Sequence, residues 1–414
     1  METFHAAINL IEYNKIWNII KLENDKIQER LIKIREGIDK VDNQILGLLN
    51  KRAGLCIEVG HIKSDSKDSV FKPFREKEVL NQLILKNTGP LPENHLRAVY
   101  REILSSSRRL QRPQEVVYLG PEGTFSFFAG VEYLGHSMNF KPCINLNEVF
   151  DNVESGEAEL GIIPLENSLQ GSIGQCLDMF LRYEVFIQAE TYYKISHSLL
   201  STEKSLSRIK TVYSHPQAIE QCSKWLRSHL PNSVIIPVES TSAGASKAVE
   251  NSESAAIGHS KLSDMLDLNI LAHQIEDLPD NWTRFMIIGS SPPVGGNQDK
   301  TSLLFTLPDK SGALVNVLNL LAKKGINMNK LESRPLRLEK WKYIFFADVE
   351  CDLTGDEYSD LKDMLAKEDL DILSICTLSS THYPILKEAV KYPLKAIYCE
   401  IKLKKKSFTK GMIH

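Results

Sequence analysis

Two long cationic side chains, Arg52 and Lys63, stand eleven residues apart in a stretch without proline. In an α-helix, at roughly 100° per residue, that spacing returns to nearly the same face about 16 Å along the axis. Both could therefore converge on one small dianion. Arg35 lies seventeen residues before Arg52, about 25 Å away and on a different face. It cannot serve that site from its own helix, but it could reach one in a partner chain.

A second group of polar residues follows glycine turns and strand-like runs. Tyr118-Leu119-Gly120-Pro121-Glu122-Gly123-Thr124-Phe125-Ser126 reads as a strand, a turn and a helix start, where free backbone N–H groups favour an anion. Comparable strand ends are GIIPLENSLQGSI (161–173), VYSHPQAIEQC (212–222) and WTRFMIIG (282–289). Pro216 suits the first turn of a helix capped by Ser214 or His215. Open α/β sheets bind ligands where such strand exits gather. Ser168 and Ser214 have no visible His/Asp relay, which argues against a hydrolase triad.

These side chains need elements to hold them. From about Asn24 to Lys63, apolar residues recur at three- and four-residue spacing (Leu31, Ile34, Ile38, Val41, Ile45, Leu48, Leu49, Leu55, Val59, Ile62), which predicts one long amphipathic helix. At 1.5 Å per residue it spans about 60 Å, more than a domain of roughly 90 residues can cover, so a partner chain should share it. Shorter helices are predicted over Arg75–Lys86 and Glu93–Gln111, ended by Arg112-Pro113. From Glu115 to about Ser290 short β-rich runs alternate with helical stretches, the pattern of an α/β unit with a largely parallel sheet. SSPPVGGNQDK is a linker. Beyond it, Thr301–Leu307, Ala313–Lys324, Met328–Leu338, Tyr343–Val349, Glu357–Ala366 and Leu370–Leu378 read as strand, helix, strand, strand, helix, strand, the ferredoxin-like order. Residues 1–23 are left as an unassigned, frayed extension, and 385–414 as a solvated basic tail.

A chain of 414 residues suggests several domains at roughly 150 residues each. With 42% apolar residues, 25% charged and a net charge of -3, no bulk electrostatic case for nucleic acid exists. The seven cysteines are scattered, without CxxC or close Cys/His spacing, so a reduced, cytoplasmic protein without a metal site is expected. The start carries Glu2 and no basic run, unlike a secretory signal, and no stretch is long and apolar enough to span a bilayer.

LIKIREGIDKVDNQILGLLNKRAGLCIEVGHIKSD, FKPFREKEVL and REILSSSRRLQ together resemble the all-helical chorismate mutases, over 24–112. The resemblance implies that Arg35, Arg52, Arg75 and Ser107 bind chorismate, Lys63 and Gln111 donate to its ether oxygen, and Glu76 accepts from the ring hydroxyl. It also implies an intertwined dimer in which Arg35 comes from the other subunit. Lys72 stands where some members place an aspartate, and no role is assigned to it. An intramolecular rearrangement needs no nucleophile or cofactor, only a held conformer and charge stabilisation on the breaking bond.

The strand-end strings together resemble prephenate dehydratases, over 115–291. The fold implied is two α/β lobes around a cleft, similar to periplasmic binding proteins. The residues implied to bind substrate are Thr124 and Ser126, Glu166, Asn167 and Ser168, Ser214, His215 and Gln217, and Arg284 and Phe285, with Thr283 as hydrogen-bond donor to the leaving hydroxyl. A threonine is too weak an acid for outright proton transfer at neutral pH, so a positioned hydrogen bond is meant. Arg284 could bind a carboxylate or make a structural ion pair. His215 suits a cap or packing role better than that of a base.

Ser311-Gly312-Ala313-Leu314-Val315 and Leu331-Glu332-Ser333-Arg334-Pro335 resemble motifs of dehydratase ACT domains, over 300–384. They imply that phenylalanine binds at Gly312, Ala313 and Leu314 and at Glu332, Ser333, Arg334 and Pro335, small residues letting it approach the backbone. The multidomain chain is thus expected to convert chorismate through prephenate to phenylpyruvate under phenylalanine control, as a homodimer or higher oligomer. Competing expectations are an arogenate dehydratase and a non-catalytic metabolite-binding regulator.

Overall fold

The computed structural model describes residues 2–63, 70–292, 300–307, 309–335, 343–351, 372–377 and 396–398, with backbone alone in 2–24, 372–377 and 396–398. The chain divides into two compact units, residues 1–66 and 67–414. The first is a single helix, α1 (Glu2–Ile62), of 61 residues, about 90 Å long at its rise per residue. The extension expected to fray before Asn24 is continuous with it. No proline or glycine interrupts Glu2 to Glu36, so nothing there breaks the hydrogen-bond ladder. All ten apolar residues whose spacing marked this helix are at least 38% exposed.

The second unit opens with α2 (Pro73–Lys86) and α3 (Glu93–Gln111), Pro73 costing no hydrogen bond at the first helical position. Arg108, 3% exposed, clasps this hairpin. Its Nη1 lies 2.5 Å from a Glu76 carboxylate oxygen, and its guanidinium stands over the Phe71 ring at 5.5 Å. Its Nη2 donates to the Leu134 carbonyl. The hairpin, expected to belong to a helical domain ending at 112, is seated on the α/β body. There Arg101 donates to the Glu132 carbonyl, and Glu102 and Ser105 accept from the backbone N–H groups of His136 and Ser137.

That body runs β1 (Glu115–Leu119), α4 (Phe125–Leu134), β2 (Asn139–Cys143), α5 (Leu146–Ser155), β3 (Leu160–Asn167), β4 (Gly171–Ser172), α6 (Gly174–Met179) and β5 (Phe186–Lys194). It continues through β6 (Ser198–Ser201), β7 (Thr211–Ser214), α7 (Pro216–Gln221), α8 (Ser223–His229), β8 (Val234–Pro237), α9 (Thr241–Glu250), β9 (Ser254–Gly258), α10 (Leu262–Leu266), β10 (Asn269–Ala272) and β11 (Trp282–Gly289). Among the described residues these strands make two sheets, ordered β2-β1-β3-β11-β5, with β4 beside β3, and β10-β6-β9-β7-β8. Neither is largely parallel, contrary to expectation. β11 runs antiparallel to both neighbours, and β6 lies antiparallel to β9 and β10. The reason is topological: the chain leaves the first lobe after β5 and returns to it as β11, so the returning strand enters against the direction of β3.

The last region comprises β12 (Thr301–Thr306), α11 (Ala313–Lys323), β13 (Met328–Pro335), β14 (Tyr343–Val349), β15 (Ile372–Thr377) and β16 (Ala396–Tyr398), in the sheet order β13-β14-β12-β15-β16. The expected helix over 357–366 lies outside the described residues. β16 pairs parallel with β15, so part of the tail expected to be solvated adds a strand. Short β-prone runs favour pairing over solvation when a sheet edge is available. Although a linker precedes it in sequence, this sheet packs directly on the first lobe: Leu304, Ile344 and Phe346 share one core with Leu177, Ile187 and Met286.

Gly135 marks how tightly hairpin and lobe fit. It follows α4 at φ 80° and ψ 176°, a region essentially restricted to glycine, and an added Cβ would lie 2.5 Å from Ser105 Cβ. Gly135→Ala should cost about 1–3 kcal/mol in backbone strain alone, seen as a lowered urea midpoint. An unchanged midpoint would contradict the glycine-only backbone at this junction.

Candidate active site

The two lobes are joined by crossing segments that hold each other: Ile195 N donates to the Asn281 carbonyl at 2.8 Å and Ile275 N to that of His197 at 2.9 Å. Beside this crossing lies a cleft of about 250 Å³. Of the residues singled out in the sequence, Thr124, Ser126, Asn167, His215, Gln217, Thr283 and Phe285 line it. Strand alternation on β11 turns Thr283 and Phe285 to the cleft and Arg284 to the opposite face.

Thr283, 7% exposed, stands opposite Asn167 in the β11–β3 ladder. Asn167 Nδ2 donates to Thr283 Oγ1 at 3.0 Å and to Asn281 Oδ1 at 2.6 Å, while Asn167 Oδ1 accepts from Leu169 N and Gln170 N at 3.1 and 3.2 Å. The two backbone donors fix which end of the amide is oxygen. The bond to Thr283 uses an oxygen lone pair and leaves the hydroxyl hydrogen to be donated elsewhere.

Around this donor the cleft is apolar on one side and faces helix starts on the other. Phe125, Ile173, Ile195 and Phe285 supply apolar wall, and no Lys or Arg is among the described lining residues. Thr124 precedes α4 without capping it; its hydroxyl donates to the Pro121 carbonyl at 2.9 Å. The first N–H groups of α4 therefore remain available to an anion. The cap of α7 is His215, whose Nδ1 accepts from Gln217 N at 3.3 Å, and burial lowers its pKa, which keeps it neutral. Ser214 is wholly buried and donates to the Ile257 carbonyl. Ser168 ties the crossing, donating to the Asp280 carbonyl and accepting from Trp282 N.

The sequence reading missed His197, Gln221, Ser240 and Thr241, which also line the cleft. Gln221 was legible, one helical turn beyond Gln217 on α7. His197 was not, since nothing in the sequence couples it to Gln221, although their side chains meet at 2.8 Å. Burial lowers the His197 pKa, so the imidazole is neutral with Nε2–H donating to the Gln221 carbonyl oxygen.

Four of the expected substrate contacts do not line the cleft: Ser168 and Ser214, bonded to backbone as above, and Arg284 and Glu166. Arg284 makes the structural ion pair, with Asp348 and Glu190, each at 2.5 Å, and lines a separate cavity of about 660 Å³ together with Glu76 and Arg108. Glu166 lies 2.9 Å from Lys330 Nζ.

The other expected site residues are spread over the first helix and its end, the α2–α3 hairpin and the ACT region. Arg35, Arg52 and Lys63 belong to the first unit, where Arg52 Nη1 approaches Cys56 Sγ at 3.9 Å. In the second unit Arg75 pairs with Glu78 at 2.6 Å on the surface and Glu76 with Arg108. Ser107 donates to the Ile103 carbonyl at 2.5 Å, and Gln111 to that of Ser107 at 3.3 Å. Gly312 stands before α11 at φ 87°, with Ala313 and Leu314 in the first turn. On β13 Glu332 and Arg334 are half-buried while Ser333 and Pro335 are exposed. Arg334 is committed to Asp178, with Nε and Nη2 at 3.1 and 3.2 Å from its two carboxylate oxygens.

Three family models match in succession: chorismate mutase type II over residues 34–112, prephenate dehydratase over 116–293 and the ACT domain over 301–357. The chain is 39% identical over 326 residues to a bifunctional chorismate mutase/prephenate dehydratase of Aquifex aeolicus, covering 78% of this chain and 90% of that protein. It is 40% identical over 328 residues to one of Stutzerimonas stutzeri, covering 77% and 89%. Among solved structures, the prephenate dehydratase of Arthrobacter aurescens in complex with L-Phe matches at TM-score 0.57 and 32% identity, over 61% of this chain and 86% of that one. That of Staphylococcus aureus matches at 0.56 and 31%, over 62% and 96%. A helical mutase region, a dehydratase cleft and an ACT sheet thus define the class as a multifunctional aromatic-pathway enzyme. The chain belongs to the bifunctional chorismate mutase/prephenate dehydratase family. Its two activities are those of an isomerase and a carbon–oxygen lyase, which disfavours both the arogenate and the non-catalytic readings.

If Thr283 is the donor, Thr283→Ala should lower the dehydratase kcat by about 100-fold or more, while Thr283→Ser keeps part of the rate because the hydroxyl remains. Steady-state kinetics on prephenate, with the mutase rate as internal control, separate the two variants. Equal loss in both would show packing at work instead.

Proposed function

We propose that dehydration takes place in the cleft around Thr283, within two lobes arranged as in periplasmic binding proteins. The single observation that carries this is the Thr283 hydroxyl, which accepts from Asn167 and so has its hydrogen free to donate. Thr283 hydrogen-bonds the departing hydroxyl, the N–H groups at the start of α4 hold the side-chain carboxylate, and Phe285 and Phe125 bound the ring. A carboxylate facing apolar wall, with no cation beside it, is poorly stabilised relative to neutral CO2, so the environment favours its loss as the ring becomes aromatic. Ser126, Asn167, His215 and Gln217 shape the pocket, with neutral His197 and Gln221 as further polar contacts.

The mutase reaction is assigned to Arg35, Arg52, Lys63, Arg75, Glu76, Ser107 and Gln111 in a shared site of two chains. An apolar stripe exposed along α1 is the surface a second copy would cover. Arginines grip the chorismate carboxylates, and Lys63 and Gln111 donate to the ether oxygen. Lys63→Ala or Arg52→Ala should abolish rearrangement, by about 100-fold or more, and leave dehydration nearly intact. Mixing Arg35→Ala chains with Arg52→Ala chains should restore part of the mutase rate, since one site of each heterodimer is whole. Failure to complement despite subunit exchange would place Arg35 outside a shared site.

The third assignment is phenylalanine control through Gly312, Ala313 and Leu314 with Glu332, Ser333, Arg334 and Pro335 of β13, Arg334 being ion-paired with Asp178. Gly312 needs its left-handed backbone, so Gly312→Val should disrupt that turn and yield an active enzyme insensitive to phenylalanine. With a typical coupling of about 1–3 kcal/mol, the parent should be inhibited roughly 5- to 150-fold. Dehydratase rates against phenylalanine, beside calorimetric binding, decide this. A parent that binds none, or a variant still fully inhibited, removes the assignment.

A further inference from the structure

Arg284 is the residue next to Thr283, and its side chain ends among charges drawn from both the lobe and the ACT sheet. Asp348 on β14 is 0% exposed. Its Oδ2 lies 2.5 Å from Arg284 Nη1, its Oδ1 accepts from Ser302 Oγ at 2.6 Å, and Lys300 Nζ is 3.5 Å away. On the lobe side Glu190 lies 2.5 Å from Arg284 Nη2. Burial works against the guanidinium charge, but Asp348 and Glu190 outweigh it and hold the Arg284 pKa above its ordinary value.

Beside Thr283 the ladder is regular toward β5 but not toward β3. The β11–β3 register shifts between Arg284 and Phe285, and such an irregularity re-aims neighbouring side chains. Opposite Arg284 in that ladder is Glu166, and the ACT sheet holds it too, through Lys330 on β13 at 2.9 Å. Farther along β13, Arg334 reaches Asp178 over Gly174, where a Cβ would lie 1.7 Å from Nη1. Glycine at this position leaves the guanidinium room to pass.

We infer that Asp348 is a positioning residue for dehydration: by holding Arg284 from the ACT sheet, it fixes the strand that presents Thr283 to the cleft. The ACT sheet is then part of the support of the active site itself as well as the place where an effector binds. The inference deepens the assignment of Thr283 as donor and rests on it; Thr283→Ala tests that assignment separately.

The test uses the full chain carrying Asp348→Asn, which keeps the shape and the Ser302 hydrogen bond but removes the charge by which the ACT sheet holds Arg284, leaving Glu190 in place. A misplaced donor affects the chemical step more than binding, so kcat on prephenate should fall about 10- to 100-fold. KM should stay within about twofold and the mutase rate at its parent value. In a Thr283→Ala background the same substitution should cause no further loss of residual dehydration, because there is no donor left to misplace. A parent-like kcat in Asp348→Asn overturns the inference, and so does an equal further loss in the Thr283→Ala background. Where Asp348→Asn does not fold, Ser302→Ala removes one hydrogen bond to Asp348 and no charge. A kcat lowered several-fold at unchanged KM then supports the role, and an unchanged kcat overturns it.

Discussion

The hydrogen bond from Asn167 Nδ2 to Thr283 Oγ1 is the contact around which the dehydratase site is arranged. A threonine hydroxyl has one hydrogen to give. Because the amide occupies a lone pair of the oxygen, that hydrogen is not consumed within the protein. Asn167 can act so only because its own carbonyl is held by Leu169 and Gln170 and its amide also meets Asn281 on the crossing segment. Returning β11 to the first lobe antiparallel to β3 brings Thr283 opposite Asn167, and the mixed sheet is therefore a requirement of the site.

Charge is distributed with the same economy. Arginine and lysine side chains near β11 lie on the face away from the cleft, in pairs with Glu166, Glu190 and Asp348. Breaking such a buried pair is costly, because the remaining partner is left uncompensated. The cleft is thereby left with helix N-termini as its source of positive potential, which can anchor one carboxylate without neutralising a second that must leave as CO2. The ion pairs that empty the cleft of cations also fasten the ACT sheet to the lobe.

Much of this was legible in the sequence. The apolar spacing of α1, the strand-end motifs and the strand order of the ACT region depend on local pattern, and local pattern survives into the fold. What was not legible depends on which segments meet. The direction of β11 follows from a chain return that hydropathy does not encode, so the sheet was expected to be largely parallel. Arg284 stands in a motif beside Thr283, yet alternation along the strand sends it to Asp348, 64 residues later. Arg334 likewise stands among its motif neighbours in sequence, although its strand turns it to Asp178. His197 carries no motif, and its place beside Gln221 is set by the crossing segments.

Dehydration by Thr283 depends on the direction of one hydrogen. Neutron diffraction from deuterium-exchanged crystals of the enzyme would locate it. A donor role for Thr283 requires a deuteron on Asn167 Nδ2 directed at Thr283 Oγ1, and the Thr283 hydroxyl deuteron directed into the cleft. A Thr283 deuteron lying on the line to Asn167, with the amide oxygen turned toward it, would rule that role out: the hydroxyl would then be spent inside the protein and could not assist the leaving group.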